Sequence, residues 1–270
     1  MLGETWNILR TGFHDAHINM ALDESLLNWH SQGLILPTLR FYGWKEPSLS
    51  VGHFQKVEKA IYFPGLKKHG CQYVRRLTGG SAVLHNHELT YSIVVSEEHP
   101  EIPQTIQEAY YVLSQGVLEG YKNLSIEAEY FIPKQKSKRT AVCFERPTFY
   151  ELVVDGKKIS GHAQTRKKGV LLQHGSIPIQ MDIDMLFDLF IFPNERMRDM
   201  NKRAFRHKAA SIEQLTGRTF TYDEVEEAFY HGFQSTLDVQ FKSFELTDSQ
   251  WDEVYQLANK KYKETVPSFI

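Results

Sequence analysis

Cysteine is scarce in this chain, whose 270 residues hold only Cys71 and Cys143. Two thiols in a chain this long do not make a disulfide framework, so free cysteines in a reducing compartment are expected. No apolar run approaches the roughly 18 residues that span a bilayer, and no basic-then-apolar leader occupies Met1 to Arg10. A soluble cytoplasmic protein with no membrane partner is the expectation. Excess charge is lacking too: Lys and Arg number 31 against 33 Asp and Glu, so no bulk positive field recruits nucleic acid. Repeats, low-complexity tracts and a clear interdomain linker are also absent. What remains is an ordinary globular composition, 41% hydrophobic and 24% charged, long enough to bury a substantial core.

Residues His17 to Trp29 place Ile18, Ala21, Leu22, Leu26 and Trp29 at helical spacing, with Asp23, Glu24 and Asn28 on other faces. That pattern predicts an amphipathic helix. Short β-rich runs bounded by Gly and Pro follow at 37–42, 48–52, 73–77, 82–84 and 89–95, and consecutive short strands predict antiparallel pairing. Pro103 to Tyr121 reads as a long helix with Ile106, Ala109, Leu113 and Val117 on one side. The basic stretch Pro133 to Thr140 has little to bury and is expected to be a mobile loop. Asp155-Gly156 between two apolar-alternating runs signals a two-residue hairpin turn. A strand over 170–179 and helices over 184–190, 211–215, 222–237 and 248–262 complete the reading.

Arg75-Arg76-Leu77-Thr78-Gly79-Gly80-Ser81 joins two strands through paired glycines. Glycine admits positive φ and lets backbone N–H groups approach a ligand. The loop reads either as cover over a carbonyl or phosphate, or as a tight hairpin with two solvent-facing arginines. Cys71 begins a strand with no charged neighbour before Arg75 and reads as structural. Cys143 follows Lys134, Lys136, Lys138 and Arg139 and precedes Lys158 by 15 residues. A nearby ammonium favours the thiolate, which is the nucleophilic form. Taken singly, Cys143 reads as a small buried residue and Lys158 as an exposed strand lysine; the surrounding motifs overturn both readings. His85, His87 and Glu88 invite a metal, but no further ligands stand at recognisable spacing, so none is expected. His162 and His174 read as hydrogen-bonding strand residues, and Phe41, Tyr42 and Trp44 as sheet packing or the lining of an acyl pocket.

Five segments occur in the order typical of the biotin/lipoate protein ligase superfamily: Asn19 to Glu24, Arg40 to Trp44, Ser50 to Gln55, Arg75 to Gly80 and Gly156 to Gln164. The resemblance runs from about Asn19 to beyond Ile179. Within that superfamily, Cys143-Phe144 with Pro147, Tyr150-Glu151-Leu152, Ala163 to Arg166 and Gln173 to Ser176 resemble the cysteine-dependent octanoyltransferases of Gram-positive type. The resemblance implies an α/β (α+β) catalytic domain over 1–240 with a mixed, largely antiparallel sheet, and a helical tail over 241–270 packed on it. It implies an acyl tunnel beside the Gly-Gly loop, with Arg75, Thr78, Gly79, Gly80, His85, Gly161 and Ala163 binding substrate. Cys143 matches the acyl-thioester nucleophile, and Lys158 the lysine that lowers the thiol pKa and polarises the carbonyl. Two departures, His162 and Thr148-Phe149, bear on pocket shape.

The implied chemistry moves octanoyl from octanoyl-acyl carrier protein to the lipoyl-domain lysine of glycine cleavage H protein, or of another lipoyl domain, without a cofactor. Backbone N–H groups near Lys158 are expected to hold the tetrahedral oxyanion, and Lys158 or a water to take the acceptor's proton. The basic loop at 134–139 is expected to meet acidic carrier proteins, and a monomer is expected. Three other readings share this sequence: an octanoyl-H-protein amidotransferase, an ATP-dependent lipoate ligase, and a catalytically dead acyl-binding module on the same fold.

Overall fold

Strand β6 (Glu88–Ser96) is buried at eight of its nine residues, so it must lie inside a sheet covered on both faces. The computed structural model describes residues 4–131 and 151–263 and places β6 in a six-stranded sheet. On one side β6 pairs with β2 (Thr38–Trp44), which leads to β1 (Glu4–His14) and β12 (Val239–Ser243) at the edge. On the other side come β11 (Val170–Pro178) and the edge strand β10 (Gly161–Lys167). The pairings β10/β11, β11/β6 and β6/β2 are antiparallel, whereas β2/β1 and β1/β12 are parallel. The fold is therefore α/β (α+β) with a mixed, largely antiparallel main sheet flanked by helices.

Alternation along the strands splits the core into two layers. Tyr91, Ile93, Leu171 and Ile177 face α3 (Ile106–Asn123) and α7 (Tyr222–Thr236). Thr105 starts α3 by accepting the Glu108 N–H. The two helices pack closely because Gly116 and Gly120 leave room for Phe233 and Phe229. Val94, Val170 and Leu172 face the opposite way, onto α1 (Ala16–Ser31). The sequence pattern set Asp23 and Glu24 apart from the apolar face of α1, yet both are buried. Asp23 turns to Arg40 of β2, and Glu24 has a second cover: α8 (Asp248–Leu257) and the π-helical turn Ala258–Tyr262 lie on α1, where Lys261 and Tyr262 donate to Glu24 at 2.7 and 2.6 Å.

Two smaller sheets attach to this frame. In the first, β3 (Ser48–Val51) lies between β4 (Gln72–Arg75) and β5 (Val83–His85). Here the expected antiparallel succession fails, because β3 and β4 run parallel with α2 (Phe63–Lys68) in the crossover. Helices α4 (Ile183–Asp188) and α5 (Glu195–Phe205) contribute Phe187 and Phe205 to the core beneath it. In the second sheet β7 (Glu129–Phe131) pairs with β8 (Glu151–Val154), which returns through Asp155 and Gly156 to β9 (Lys157–Lys158). Both turn residues have positive φ, 49° and 72°, as the predicted two-residue hairpin requires. The short α6 (Ile212–Thr216) precedes α7.

Candidate active site

A charged residue inside an otherwise buried strand needs a partner, and Arg40 on β2 finds two on α1. Its guanidinium donates to Asp23 Oδ1 at 2.8 Å and to Asn19 Oδ1 at 2.7 Å. Tyr42 OH and Ser92 Oγ donate to the same carboxylate at 3.1 and 2.8 Å, and His174 Nδ1 lies 3.2 Å from it. Burial alone would raise the Asp23 carboxyl, but the His174 hydrogen bond and the Arg40 charge outweigh it and hold the carboxyl below its ordinary value. His174 is pushed down by burial, against the pull of Asp23. Its Nε2 lies 2.7 Å from Thr78 Oγ1, which ties this buried network to the Gly-Gly loop.

The two arginines of that loop have different work. Arg75 donates to the carbonyls of Gly52 and Gln55, each at 2.9 Å, and so clamps the segment after β3. Arg76 is buried and donates to Ser50 O at 3.1 Å and to Gly79 O and Ser81 O at 2.8 Å. Neither is the solvent-facing arginine of a plain hairpin. A Cβ on Gly52 would stand 2.1 Å from Gly80 O, so the loop can take this path only over a glycine. His85 stacks on Trp44 at 3.9 Å and spends both ring nitrogens, on Ser50 Oγ and Glu88 Oε1, each at 2.7 Å. Glu88 also accepts from Thr90 and Ser176. Among the described residues no three His, Cys, Asp or Glu side chains gather as a metal site.

These parts surround a cleft of about 420 Å³, counting its open mouth. Met20, Tyr42, Trp44 and Val83 give it apolar walls; Gly80 and His85 line one side, and Gly161, His162 and Ala163 another. Arg75, Thr78 and Gly79 shape the loop from behind it, through the hydrogen bonds above. Lys158 is fully buried and donates to Glu151 Oε1 at 2.7 Å. An unpaired ammonium so placed would cost several kcal/mol, and the Glu151 carboxylate offsets that cost. The Lys158 N–H donates to Lys208 O at 2.8 Å and the Ile159 N–H to Leu152 O at 3.1 Å. Those two amides are spent within the fold and do not supply the oxyanion contact expected beside the lysine.

His162 sits in a hydrogen-bond chain of fixed polarity. Gln173 Nε2 donates to Tyr91 OH at 2.9 Å, so the Tyr91 proton goes to His162 Nδ1 at 2.8 Å. The imidazole proton is thereby assigned to Nε2, which lies 2.7 Å from Ser160 Oγ. Burial first, and then the nearby Lys158 charge, push His162 down to about 3, so the ring is neutral. Cys143, the basic residues from Lys134 to Arg139 and the Thr148-Phe149 pair lie outside the described residues.

Asp23, Arg76, Glu88, Glu151 and His174 were not singled out in the sequence as site residues. Arg40 offered a signal for Asp23, being the one charged residue of the wholly buried β2. The chain belongs to a family whose description, lipoyl protein ligase A/B catalytic domain, matches residues 15–234. It resembles most of the length of proteins named octanoyltransferase LipM: 52% identity over 96% of both chains for that of Anoxybacillus flavithermus, and 48% over 97% of both for that of Bacillus subtilis. Among solved structures, a bipartite lipoate protein ligase of Thermoplasma acidophilum, described with its E2 lipoyl domain, is 26% identical with a TM-score of 0.77. The similarity covers 97% of this chain and 93% of that one. A lipoate-protein ligase A bound with ATP matches at 26% identity and a TM-score of 0.76, over 97% and 96% of the two chains.

Proposed function

We propose that this protein is an octanoyltransferase of protein lipoylation, moving octanoyl from octanoyl-acyl carrier protein to the lipoyl-domain lysine of glycine cleavage H protein. The transfer runs through a thioester on Cys143. One observation carries the reading: a fully buried Lys158, held by Glu151 and close enough to lower the pKa of cleft-lining His162, in a chain about half identical over its length to octanoyltransferases. In the first step the Lys158 ammonium favours the Cys143 thiolate. The Sγ–acyl bond forms as the bond to the pantetheine sulfur breaks, and the departing thiolate takes up a proton. Exchange between two thioesters is nearly balanced in energy.

In the second step the acceptor amine attacks, the bond to Sγ breaks and a stable amide results. The amine must first lose a proton. His162 is no candidate base, because its nitrogens are engaged within the fold and its pKa of about 3 makes it a poor one. Lys158 or water remains. The apolar walls hold the acyl chain, each buried methylene contributing about 0.8 kcal/mol.

Incubation with octanoyl-acyl carrier protein and apo-H protein, without ATP, tests donor and acceptor together. Octanoyl-H protein is expected, with an octanoyl adduct on the Cys143 peptide and loss of both in Cys143→Ala. The likeness to an ATP-bound lipoate-protein ligase A motivates the second reading. Transfer from octanoate plus ATP that survives in Cys143→Ala would establish it instead. Octanoyl-H protein acting as donor to a dehydrogenase lipoyl domain would mark an amidotransferase.

A further inference from the structure

Strand β5 borders two recesses that meet at Val83. Val83 and His85 line the cleft described above, while Leu84 and Asn86 face a second recess of about 460 Å³, counting its open mouth. Val83 touches both, so the two spaces share one wall. The second recess is bounded by apolar side chains from β5 and α4 and by Phe205 at the end of α5. Four residues beyond the lining residue Phe205, Ala209 bridges the backbone of Lys158, so one short segment joins the recess to the lysine's strand.

The lining determines what can enter. Among the described residues it holds two carboxylates, Glu88 and Asp182, and no lysine or arginine. Glu88 is committed to His85, Thr90 and Ser176, and Asp182 caps α4 by accepting the Met185 N–H at 2.8 Å. A polyphosphate would meet uncompensated negative charge there. Two carboxamides, Asn86 and Gln180, line the recess with no side-chain hydrogen bond to any described residue. A free carboxamide offers both a donor and an acceptor, the complement of a secondary amide. Outside the lining, Lys202 and Arg206 pair with Asp184.

We propose that this second recess receives the pantetheine arm of the thioester donor while the cleft takes its acyl chain. The arm is uncharged, carries two secondary amides and a dimethyl-substituted carbon, and ends in the sulfur that bears the acyl group. Its chemistry matches Asn86, Gln180 and the apolar wall. The thioester then lies at the shared wall. This inference rests on the octanoyl-transfer reading.

The test compares octanoyl-pantetheine with p-nitrophenyl octanoate, which lacks the arm, as donors to the full chain and to an Asn86→Ala, Gln180→Ala double variant. The octanoyl adduct is followed by intact mass. Loss of two amide hydrogen bonds should lower kcat/KM for adduct formation from octanoyl-pantetheine about ten-fold. The p-nitrophenyl ester should stay within about two-fold, which also reports that the variant is folded. An equal fall with both donors, or no fall with octanoyl-pantetheine, overturns the proposal. So does competitive slowing of the octanoyl-pantetheine reaction by ATP, which would put a nucleotide in the recess. If the unmodified chain forms no adduct with either donor, it is the transferase reading that fails.

Discussion

Neutral His162 makes a measurable demand on the protein's acid stability. Its ordinary pKa of 6.5 is lowered to about 3 in the fold, first by burial and then by the Lys158 charge. Between those two values the unfolded chain binds a proton at this ring that the native chain does not. Stability therefore rises with pH across the window: it is complete above 6.5 and falls as the pH drops toward 3. The slope is about 1.4 kcal/mol per pH unit, so about 2 kcal/mol is lost by pH 5. His14, His17 and His174 are lowered as well, mainly by burial, and would steepen the total. A difference measurement isolates His162. Urea unfolding of the protein and of His162→Gln, an amide that can bond to Tyr91 and Ser160 without titrating, should give a stability gap that changes by about 2 kcal/mol between pH 7 and 5. The variant should have the flatter profile. A gap independent of pH would refute the argument, because it would mean that His162 protonates in the native state as readily as in the unfolded one.

Four further outcomes follow from the site and the small sheet beside it. Asp23→Asn leaves the buried Arg40 guanidinium without its counter-charge and should cost about 3–5 kcal/mol, read as a lowered urea midpoint. Gly52→Ala drives a Cβ to 2.1 Å from Gly80 O and should lower Tm by several degrees. Alanine at Gly79 meets nothing within 4 Å, and its Tm should stay within about 2 °C of the parent. The Cys71 thiol is buried and pushed up to about 12, mainly by burial, so at pH 8 an alkylating reagent should label a Cys143→Ala variant in denaturant but not in its native state. Labelling of the native Cys143→Ala variant at an undiminished rate would contradict that assignment.

The elements legible in the sequence are those that a single local rule decides. An apolar stripe sets α1 and α3, Asp155-Gly156 sets the hairpin, and the runs around Leu89 and Val170 set the central strands. The missed elements obey longer-range rules. β12 is recruited as a parallel neighbour of β1 across more than 200 residues of sequence, and most of its side chains remain accessible. α5 is charged along its length and buries only Phe205 fully, so it shows no stripe. The site divides the same way: its glycine loop and lysine belong to contiguous motifs, while Asp23 and His174 meet only because α1 and β11 pack together. Glu151 is the exception, because its role was derivable. A two-residue turn at Asp155-Gly156 pairs Val153 with Lys158, as observed. Residues two apart on a strand share a face, so Glu151 lies diagonal to Lys158 on the same side of the hairpin. The turn that identified the strand thus also predicts which carboxylate balances the buried lysine. The same register yields a test of the pair: Glu151→Gln should destabilise the fold by about 3–5 kcal/mol, and Glu151→Gln with Lys158→Met by less than the sum of the two single changes.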